Sequence, residues 1–384
     1  MDGVRYKFAT FLLSMAIMIT IITQLPFFID HDLNILGVIV WIPILLLLMC
    51  SNAIRICRNI YFPVICFLIY ILLLLFFTVY LYTYPMFSCV KGFLMSILMF
   101  LIGYFFANVL KDEQFVKAVI YAVLIGGLVY AIIINNTVFY IVDLDSITYM
   151  YGAKNSASKI IFSCFILVLF LYTPKSKIAT CLKCLTLVLF IYIIFIMKSR
   201  STILALLVPV IVVAFYGKNK KYKKSIYWFL FALILLCVCF PDYPVLILNK
   251  IILNNQIDAD LNTISSGRIW MIQNFSMIFD DYIFIGGSSV FVENFYLKTL
   301  LEVGLIGATP VFIFLLWFYF VLKKYFDFSN PIDISCLILL LSYYMDGLFE
   351  SLAPFGPGAK CFFLWLIIGF FINKRMSNYN RLIF

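Results

Sequence analysis

Three cationic side chains stand where polar turns meet long apolar segments: Lys154, Arg200 and Arg268. Lys154 lies in Y-G-A-K-N-S, Arg200 lies in K-S-R-S-T, and Arg268 directly follows S-S-G. Each precedes or opens a predicted helix, and Ser201 and Thr202 are good N-cap residues. A helix N-terminus beside a cation suits anions, phosphate above all, and arginine binds phosphate oxygens with a planar two-pronged group. The sequence therefore predicts a phosphate-bearing ligand.

The other polar candidates have ordinary structural interpretations. Lys298 and Glu302 are spaced as an i, i+4 ion pair on one helix, and Asp280 with Asp281 is typical of a solvated turn. The single histidine, His31, is interpreted as a loop residue and not as a metal ligand. We therefore expect no metal site and no cofactor.

The elements that must position these residues are membrane helices. A composition of 65% hydrophobic and 12% charged residues over 384 positions is typical of a polytopic membrane protein. Because one span needs roughly 20 apolar residues, the chain predicts an all-α fold of about twelve transmembrane helices. We expect one integral membrane domain, residues 1–384. The apolar runs lie near residues 8–29, 33–50, 60–82, 92–110, 115–134, 157–173, 180–197, 201–217, 225–240, 299–322, 332–349 and 359–372.

The basic residues orient these spans. With both termini in the cytoplasm, most of the 28 Lys and Arg residues, including the cluster at 218–224, fall in cytoplasmic segments, as the positive-inside rule requires. The net charge of +10 is thereby explained, and no nucleic-acid partner is expected. Binding an anion is one reason to keep the cations that the rule leaves outside or within the membrane, which are Lys91, Lys154, Lys159, Lys198, Arg200, Lys250, Arg268, Lys298 and Lys360.

One polar stretch interrupts the apolar runs, at residues 241–298 between the ninth and tenth spans. We predict that it forms a large loop on the outer face and carries part of the site. Within it, Arg268 opens a predicted amphipathic helix with Met271, Phe275 and Ile278 on one face, which suits a helix on the membrane surface. The glycines expected in turns and close helix contacts are Gly286, Gly287, Gly304 and Gly307.

Several fragments resemble, in order, the short motifs of the O-antigen polymerase and O-antigen ligase superfamily. Y-G-A-K-N-S-A-S from Tyr151 is similar to a G-x-x-N segment before a span, and S-R-S-T at Ser199–Thr202 resembles an S-R-[ST] turn. S-G-R-I-W at Ser266–Trp270 resembles a G-R-x-x-x-W helix start, and I-G-G at Ile285–Gly287 resembles a P-x-x-G-x-G turn without its proline. E-N-F-Y-L followed by L-E-V-G-L-I-G, at residues 293–307, matches an H-N-x-Y-L…E-x-G-x-x-G segment in spacing.

The resemblance covers residues 150–310 and implies both a fold and an activity. Glu293 stands where the ligases of the superfamily have a histidine, which favours the polymerase branch. Such a protein is a metal-independent, inverting glycosyltransferase of the GT-C class in the bacterial inner membrane. It joins undecaprenyl-pyrophosphate-linked oligosaccharide repeat units into polysaccharide at the periplasmic face. The resemblance also implies membrane lipid and a chain-length regulator protein as partners.

Roles for particular residues follow from the resemblance and from their positions. Arg200 and Arg268 match the arginines of the superfamily and are expected to act as catalytic residues that stabilise the departing pyrophosphate. Glu293, in the histidine position, is expected to be the general base, and Glu350 near the last span is the second choice for that role. The residues expected to bind substrate are Lys154, Asn155, Asn294, Tyr296 and Glu350.

Two other functions fit the same composition. An O-antigen ligase would transfer finished polymer onto lipid A–core, and the missing histidine argues against it. A flippase for lipid-linked oligosaccharide, or another transporter of about twelve spans, is the second alternative. Transporters usually show paired halves with broken helices in corresponding positions, and the sequence shows no such pairing.

Overall fold

The computed structural model describes residues 2–50, 60–81, 85–139, 154–216, 267–280, 283–287, 292–356 and 358–383, with a few single residues between them. Every regular element in these ranges is helical. The α-helices are α1 Asp2–Ile22, α2 Pro26–Asp30, α3 Leu36–Ile39, α4 Trp41–Cys50, α5 Tyr61–Leu81, α6 Pro85–Val109, α7 Asp112–Phe139, α8 Lys154–Leu171, α9 Lys177–Ile196, α10 Arg200–Ala205, α11 Leu207–Tyr216, α12 Arg268–Phe279, α13 Phe295–Tyr325, α14 Pro331–Asp346 and α15 Phe362–Ile383. Short 3-10 helices lie at Leu33–Ile35 and Gly358–Cys361.

Six helical stretches within the described ranges are long and apolar enough to cross a membrane. The prediction of an all-helical protein with several membrane spans is therefore confirmed at this level. The predicted ninth span, 225–240, and most of residues 241–266 lie outside the described residues. The six stretches are Leu33–Cys50, Val90–Val109, Asp112–Thr137, Lys154–Leu171, Lys177–Ile196 and Phe295–Tyr325.

Two of the predicted spans are interrupted, and proline explains both interruptions. Helix α3 ends at Ile39 and helix α10 ends at Ala205, each followed after one residue by the next helix. Pro43 and Pro209 lie four residues after these ends. A proline lacks the N–H that would bond to the carbonyl four residues earlier, and its ring crowds that carbonyl, so the helical ladder breaks there.

The described chain divides into two compact units. The first comprises Met1–Leu47, Val109–Ala259 and Asp327–Ser342, and the second comprises Leu48–Asn108, Asp260–Phe326 and Tyr343–Phe384. In the first unit α7 packs against both α1 and α8, and α8 packs against α9 and α10. The expectation of a single membrane domain over residues 1–384 stays a prediction.

The core of the second unit is aromatic. Helix α13 packs along α5, and Phe314 stacks on Phe67 with ring centroids 4.5 Å apart. Phe355 stacks on Trp365 at 5.1 Å and lies 4.9 Å from the ring of Phe93. Because large rings fill this core with little rotamer freedom, the polar segments attached to it have a rigid support.

Candidate functional site

Arg268 begins helix α12. The backbone conformation of Gly267 and two hydrogen bonds to Asn262 explain why the helix starts there. Gly267 has a φ of +81°, a left-handed conformation that glycine adopts without strain. The Asn262 carbonyl accepts from Gly267 N at 2.8 Å, and the Asn262 Oδ1 accepts from Trp270 N at 3.0 Å. The first turn of α12 is therefore capped, and Arg268 is held at its N-terminus.

The Arg268 guanidinium makes an ion pair with Glu293. Its Nη2 lies 2.5 Å from the Glu293 Oε2, and the two side chains are 25% and 39% exposed. The same Nη2 donates to the Phe349 carbonyl at 3.3 Å. The two residues predicted to bind the leaving group and to act as base are thus brought together, but as partners of each other. Glu293 holds the guanidinium in place while both groups remain open to solvent.

Three successive carbonyls of the segment after α14 accept hydrogen bonds from this region. The donor–acceptor pairs are Phe295 N with Gly347 O at 2.8 Å, Asn294 Nδ2 with Leu348 O at 3.2 Å, and Arg268 Nη2 with Phe349 O at 3.3 Å. The segment is consequently fixed against the start of α13 and against Arg268.

Asn294 and Tyr296, both predicted to bind substrate, have structural partners here. Asn294 is the N-cap of α13, and its Oδ1 accepts from Leu297 N at 3.0 Å. The Tyr296 hydroxyl donates to the Tyr344 carbonyl at 2.8 Å. Asn294 is buried and Tyr296 is half-buried, and both fix the start of α13 against the end of α14 and the segment after it. Their contact with substrate stays a prediction.

Glu350 follows Phe349 and pairs with a buried lysine. The Lys360 Nζ lies 3.5 Å from the Glu350 Oε2, and the side chains are 1% and 19% exposed. Asp346, fully buried at the end of α14, is the other carboxylate close to this lysine. The buried ammonium is therefore neutralised by carboxylates, one of which is the partly exposed Glu350.

The glycine motifs meet each other at a break in helix α13. Gly304 has φ +66° and ψ −176°, and a side chain there would begin 2.4 Å from the Phe284 carbonyl oxygen. The backbone groups that the break leaves outside the helical ladder bond to the facing segment, Leu305 N to Ile283 O at 2.8 Å and Gly287 N to Leu301 O at 3.1 Å. A side chain at Gly286 would begin 2.2 Å from Val303 N. The expectation that glycines serve turns and close approach is confirmed for Gly286, Gly287 and Gly304.

Lys298 and Glu302 form the predicted i, i+4 ion pair. Their charged atoms lie 3.3 Å apart, and the side chains are 11% and 10% exposed. The pair lies on α13 between its N-cap and the break at Gly304.

Helix α12 departs from prediction. Its residues Trp270, Ile272 and Met277 are exposed and apolar, so the helix does not have the single apolar face of an amphipathic helix.

The remaining predicted residues lie in the first unit. Lys154 begins α8 and Arg200 begins α10, and both are half-buried. The Ser199 hydroxyl, at the N-cap of α10, donates to the Asn155 Oδ1 at 3.1 Å and contacts the Thr202 hydroxyl at 3.0 Å. The K-N-S and S-R-S-T fragments are therefore adjacent, as an anion site at helix N-termini requires.

Two buried lysines accompany this second cluster. Lys159, one turn after Asn155 on α8, is 1% exposed, and Lys198, with a left-handed φ of 47°, is 4% exposed. The hydroxyls of Ser158 and Ser201 are buried without a hydrogen-bond partner. Neither 154–163 nor 197–205 contains an acidic residue. The corner of α8 and α10 thus concentrates positive charge.

The predicted residues accordingly form two groups. Arg268, Glu293, Asn294, Tyr296 and Glu350 come together in the second unit, whereas Lys154, Asn155 and Arg200 come together in the first. The buried cations that accompany the two groups and were not predicted as site residues are Lys159, Lys198 and Lys360. All three were among the cations that the positive-inside rule left unexplained, and that is the signal by which the sequence could have identified them.

Within the described ranges no group of three or more His, Cys, Asp or Glu side chains is placed to hold a metal ion. His31 is exposed and stacks on Phe27 at 4.6 Å, with its Nδ1 2.8 Å from the Phe27 carbonyl, as expected for a loop residue. The chain matches no known protein family and no curated protein sequence.

Proposed function

We propose that this protein is a polymerase of lipid-linked oligosaccharide, of the O-antigen polymerase type. It would join undecaprenyl-pyrophosphate-linked repeat units at the periplasmic face of the bacterial inner membrane. The observation that carries the proposal is the meeting of fragments that are distant in sequence. S-G-R-I-W meets E-N-F-Y-L through the Arg268–Glu293 pair, and I-G-G meets E-V-G-L-I-G at the Gly304 break.

The chemistry requires positive charge beside the negatively charged diphosphate leaving group, and each unit, taken by itself, contains cations. Arg268 is a half-exposed guanidinium on a rigid support. Around the start of α8 and α10 lie Lys154, Lys159, Lys198 and Arg200, a number of cations that suits a diphosphate better than a single phosphate. Such charges stabilise the leaving group most as its negative charge develops. The resemblance described above further implies, and we propose, a metal-independent, inverting glycosyltransferase of the GT-C class.

The proposed membrane topology of the protein builds on the helical fold that is described above. It takes about twelve spans, both termini in the cytoplasm and the 241–298 loop on the periplasmic side. The partners are the lipid-linked oligosaccharide, the surrounding membrane lipid and a chain-length regulator protein.

The direct test incubates purified protein in proteoliposomes with a synthetic lipid-linked repeat unit and separates the products by length. A ladder of polymers supports the proposal. Failure to form any product longer than the starting unit, by protein that is monodisperse and thermally stable, rejects it.

Deleting the gene in the source bacterium separates the proposal from its alternatives. Loss of a polymerase leaves lipid A–core carrying one repeat unit, whereas loss of a ligase leaves bare core. Loss of a flippase also leaves bare core, and precursor then accumulates on the cytoplasmic face. The variant Arg268→Ala, expressed from a plasmid, should restore polymer to the deletion strain much less than the wild-type gene does.

A further inference from the structure

Glu350 and Glu293 are placed differently with respect to Arg268, the cation that is proposed to bind the leaving group. The carbonyl that accepts from Arg268 belongs to the peptide bond between Phe349 and Glu350. Glu350 is therefore adjacent to the guanidinium through the backbone, whereas Glu293 is bonded to the guanidinium directly. A base that neutralises Arg268 would compete with a diphosphate for it, and a base that stands beside Arg268 would not.

The support of Glu350 is rigid on both sides. The preceding carbonyls are held by Asn294 and Phe295, as described above. Further along, the Phe355 carbonyl accepts from the Ser96 hydroxyl at 2.8 Å, and the Pro354 carbonyl accepts from the Trp365 Nε1 at 2.8 Å. The backbone that carries the Glu350 carboxylate is therefore held in one position before substrate binds.

Lys360 has no access to a ligand because it is 1% exposed, so its charge acts on neighbouring carboxylates. Those neighbours are Glu350, at 3.5 Å, and the fully buried Asp346 at the end of α14. Two carboxylates beside one ammonium carry a net charge of −1. When one of them takes up a proton, the other still neutralises the lysine, and no isolated charge remains buried.

We propose that Glu350 is the general base that accepts the proton of the acceptor hydroxyl, and that Lys360 is its positioning residue. This inference rests on the proposed polymerase function. The acceptor oxygen forms a bond to the anomeric carbon, and the bond from that carbon to the diphosphate oxygen breaks. The hydroxyl proton moves to the Glu350 carboxylate, and the lipid diphosphate leaves with the bonding electron pair, beside Arg268. Glu293 then serves to hold Arg268.

The ionisable groups around Glu350 determine which protonation steps a pH profile of the polymerisation rate can detect. Lys360 and Cys361 lie on the connection between α14 and α15, and Asp346 lies at the end of α14. Tyr296 on α13 is close to Asp346, and the Arg268–Glu293 pair adjoins Phe349. Of these, only carboxylates change charge on the acidic side of neutral pH.

The experiment measures initial rates of polymerisation from acidic to neutral pH in proteoliposomes. Wild-type protein is expected to lose activity at acidic pH as its base is protonated. Glu350→Gln should lower the rate about 10²- to 10⁴-fold and abolish this acidic limb, with little change in KM. Lys360→Met should lower the rate about tenfold and change the shape of the profile, because the Glu350 carboxylate loses the ammonium that lies 3.5 Å away and holds it in place. Lys360→Arg should restore the profile.

Two control variants distinguish a structural role of the Glu350–Lys360 pair from a chemical role of the Glu350 carboxylate. Glu302→Gln removes a comparable buried ion pair on α13 and should leave the shape of the profile unchanged. Glu350→Asp keeps a carboxylate and should retain the acidic limb at a lower rate. Each variant is compared in thermal stability and in binding of an unreactive lipid-linked analogue.

Several results overturn the inference. A Glu350→Gln protein with a rate within threefold of wild type shows that Glu350 is not the base. Loss of the acidic limb in Glu293→Gln, with the limb intact in Glu350→Gln, assigns that role to Glu293. A Lys360→Met profile that differs in rate alone removes Lys360 as a positioning residue. Absence of any ladder from wild-type protein instead rejects the proposed function, and the inference with it.

Discussion

Replacing Arg268 by alanine removes the cation that is best placed to reach a leaving diphosphate. The side chain is 25% exposed, so we take an effective dielectric constant of about 20 to 40 for its surroundings. At about 4 Å, a guanidinium and one phosphate charge then interact by about 2 to 4 kcal/mol before desolvation. After part of that is lost to desolvation, about 1 to 3 kcal/mol remains, and kcat/KM should fall about 5- to 160-fold.

The assay is the initial rate of chain extension at subsaturating lipid-linked repeat unit, measured in proteoliposomes of equal protein density. Arg268→Lys keeps the charge but loses the geometry that contacts Glu293 and the Phe349 carbonyl together, so about a tenfold loss is expected. Lys323→Ala, an exposed cation near the far end of α13, is the matched control for loss of charge and should retain the wild-type rate.

Refutation would come from an Arg268→Ala protein whose kcat/KM lies within threefold of the control. An equal loss in Arg268→Ala and Arg268→Lys, together with a lowered melting temperature in both, would also contradict the reasoning. That pattern would mean that the ion pair with Glu293 supports the fold and does not contact the substrate.

Gly304→Ala should destabilise the protein by more than about 2 kcal/mol and lower its melting temperature in detergent, because φ is +66° and the new Cβ would begin 2.4 Å from the Phe284 carbonyl oxygen. Lys360→Met should destabilise the protein by about 3 kcal/mol and lower its melting temperature in detergent, because it removes the buried ammonium that lies beside Glu350 and the fully buried Asp346. Lys198→Met should weaken binding of inorganic pyrophosphate to the detergent-solubilised protein about tenfold, measured by calorimetry, because it removes one buried cation of the α8–α10 corner.

Each of these expectations has a matched comparison. Gly267→Ala has a φ of +81° but no atom within 4 Å of the new Cβ, so it should cost less than Gly304→Ala; equal costs would reject the steric argument. Lys360→Arg, which keeps the positive charge, should restore most of that stability, and an equal loss in both variants would reject the charge argument. Lys177→Met, at the start of α9 outside the corner, should leave pyrophosphate binding unchanged, and a loss equal to that of Lys198→Met would indicate a nonspecific charge effect.

Helix placement could be predicted to a useful degree from hydropathy alone, because a span must be apolar along its whole length. The runs at 60–82 and 180–197 correspond to α5 and α9, whose ends lie within a few residues of the prediction. The interruptions at Ile39 and Ala205 were not predicted, although Pro43 and Pro209 are local signals that could have shown them. The left-handed Gly304 inside α13 has no such signal, since a glycine in an apolar helix is common in membranes.

The sequence by itself determined the kinds of chemistry that are available: cations next to helix starts, a few carboxylates and an apolar frame. Local rules also determined the starts of α12 and α13, because Gly267 and Asn294 act on backbone groups within a few residues. Only the tertiary structure decided that Glu293 faces Arg268 and that Lys360 lies behind Glu350. Ion pairs between separate segments depend on how those segments pack on a shared core, and no local pattern of residues encodes that distance.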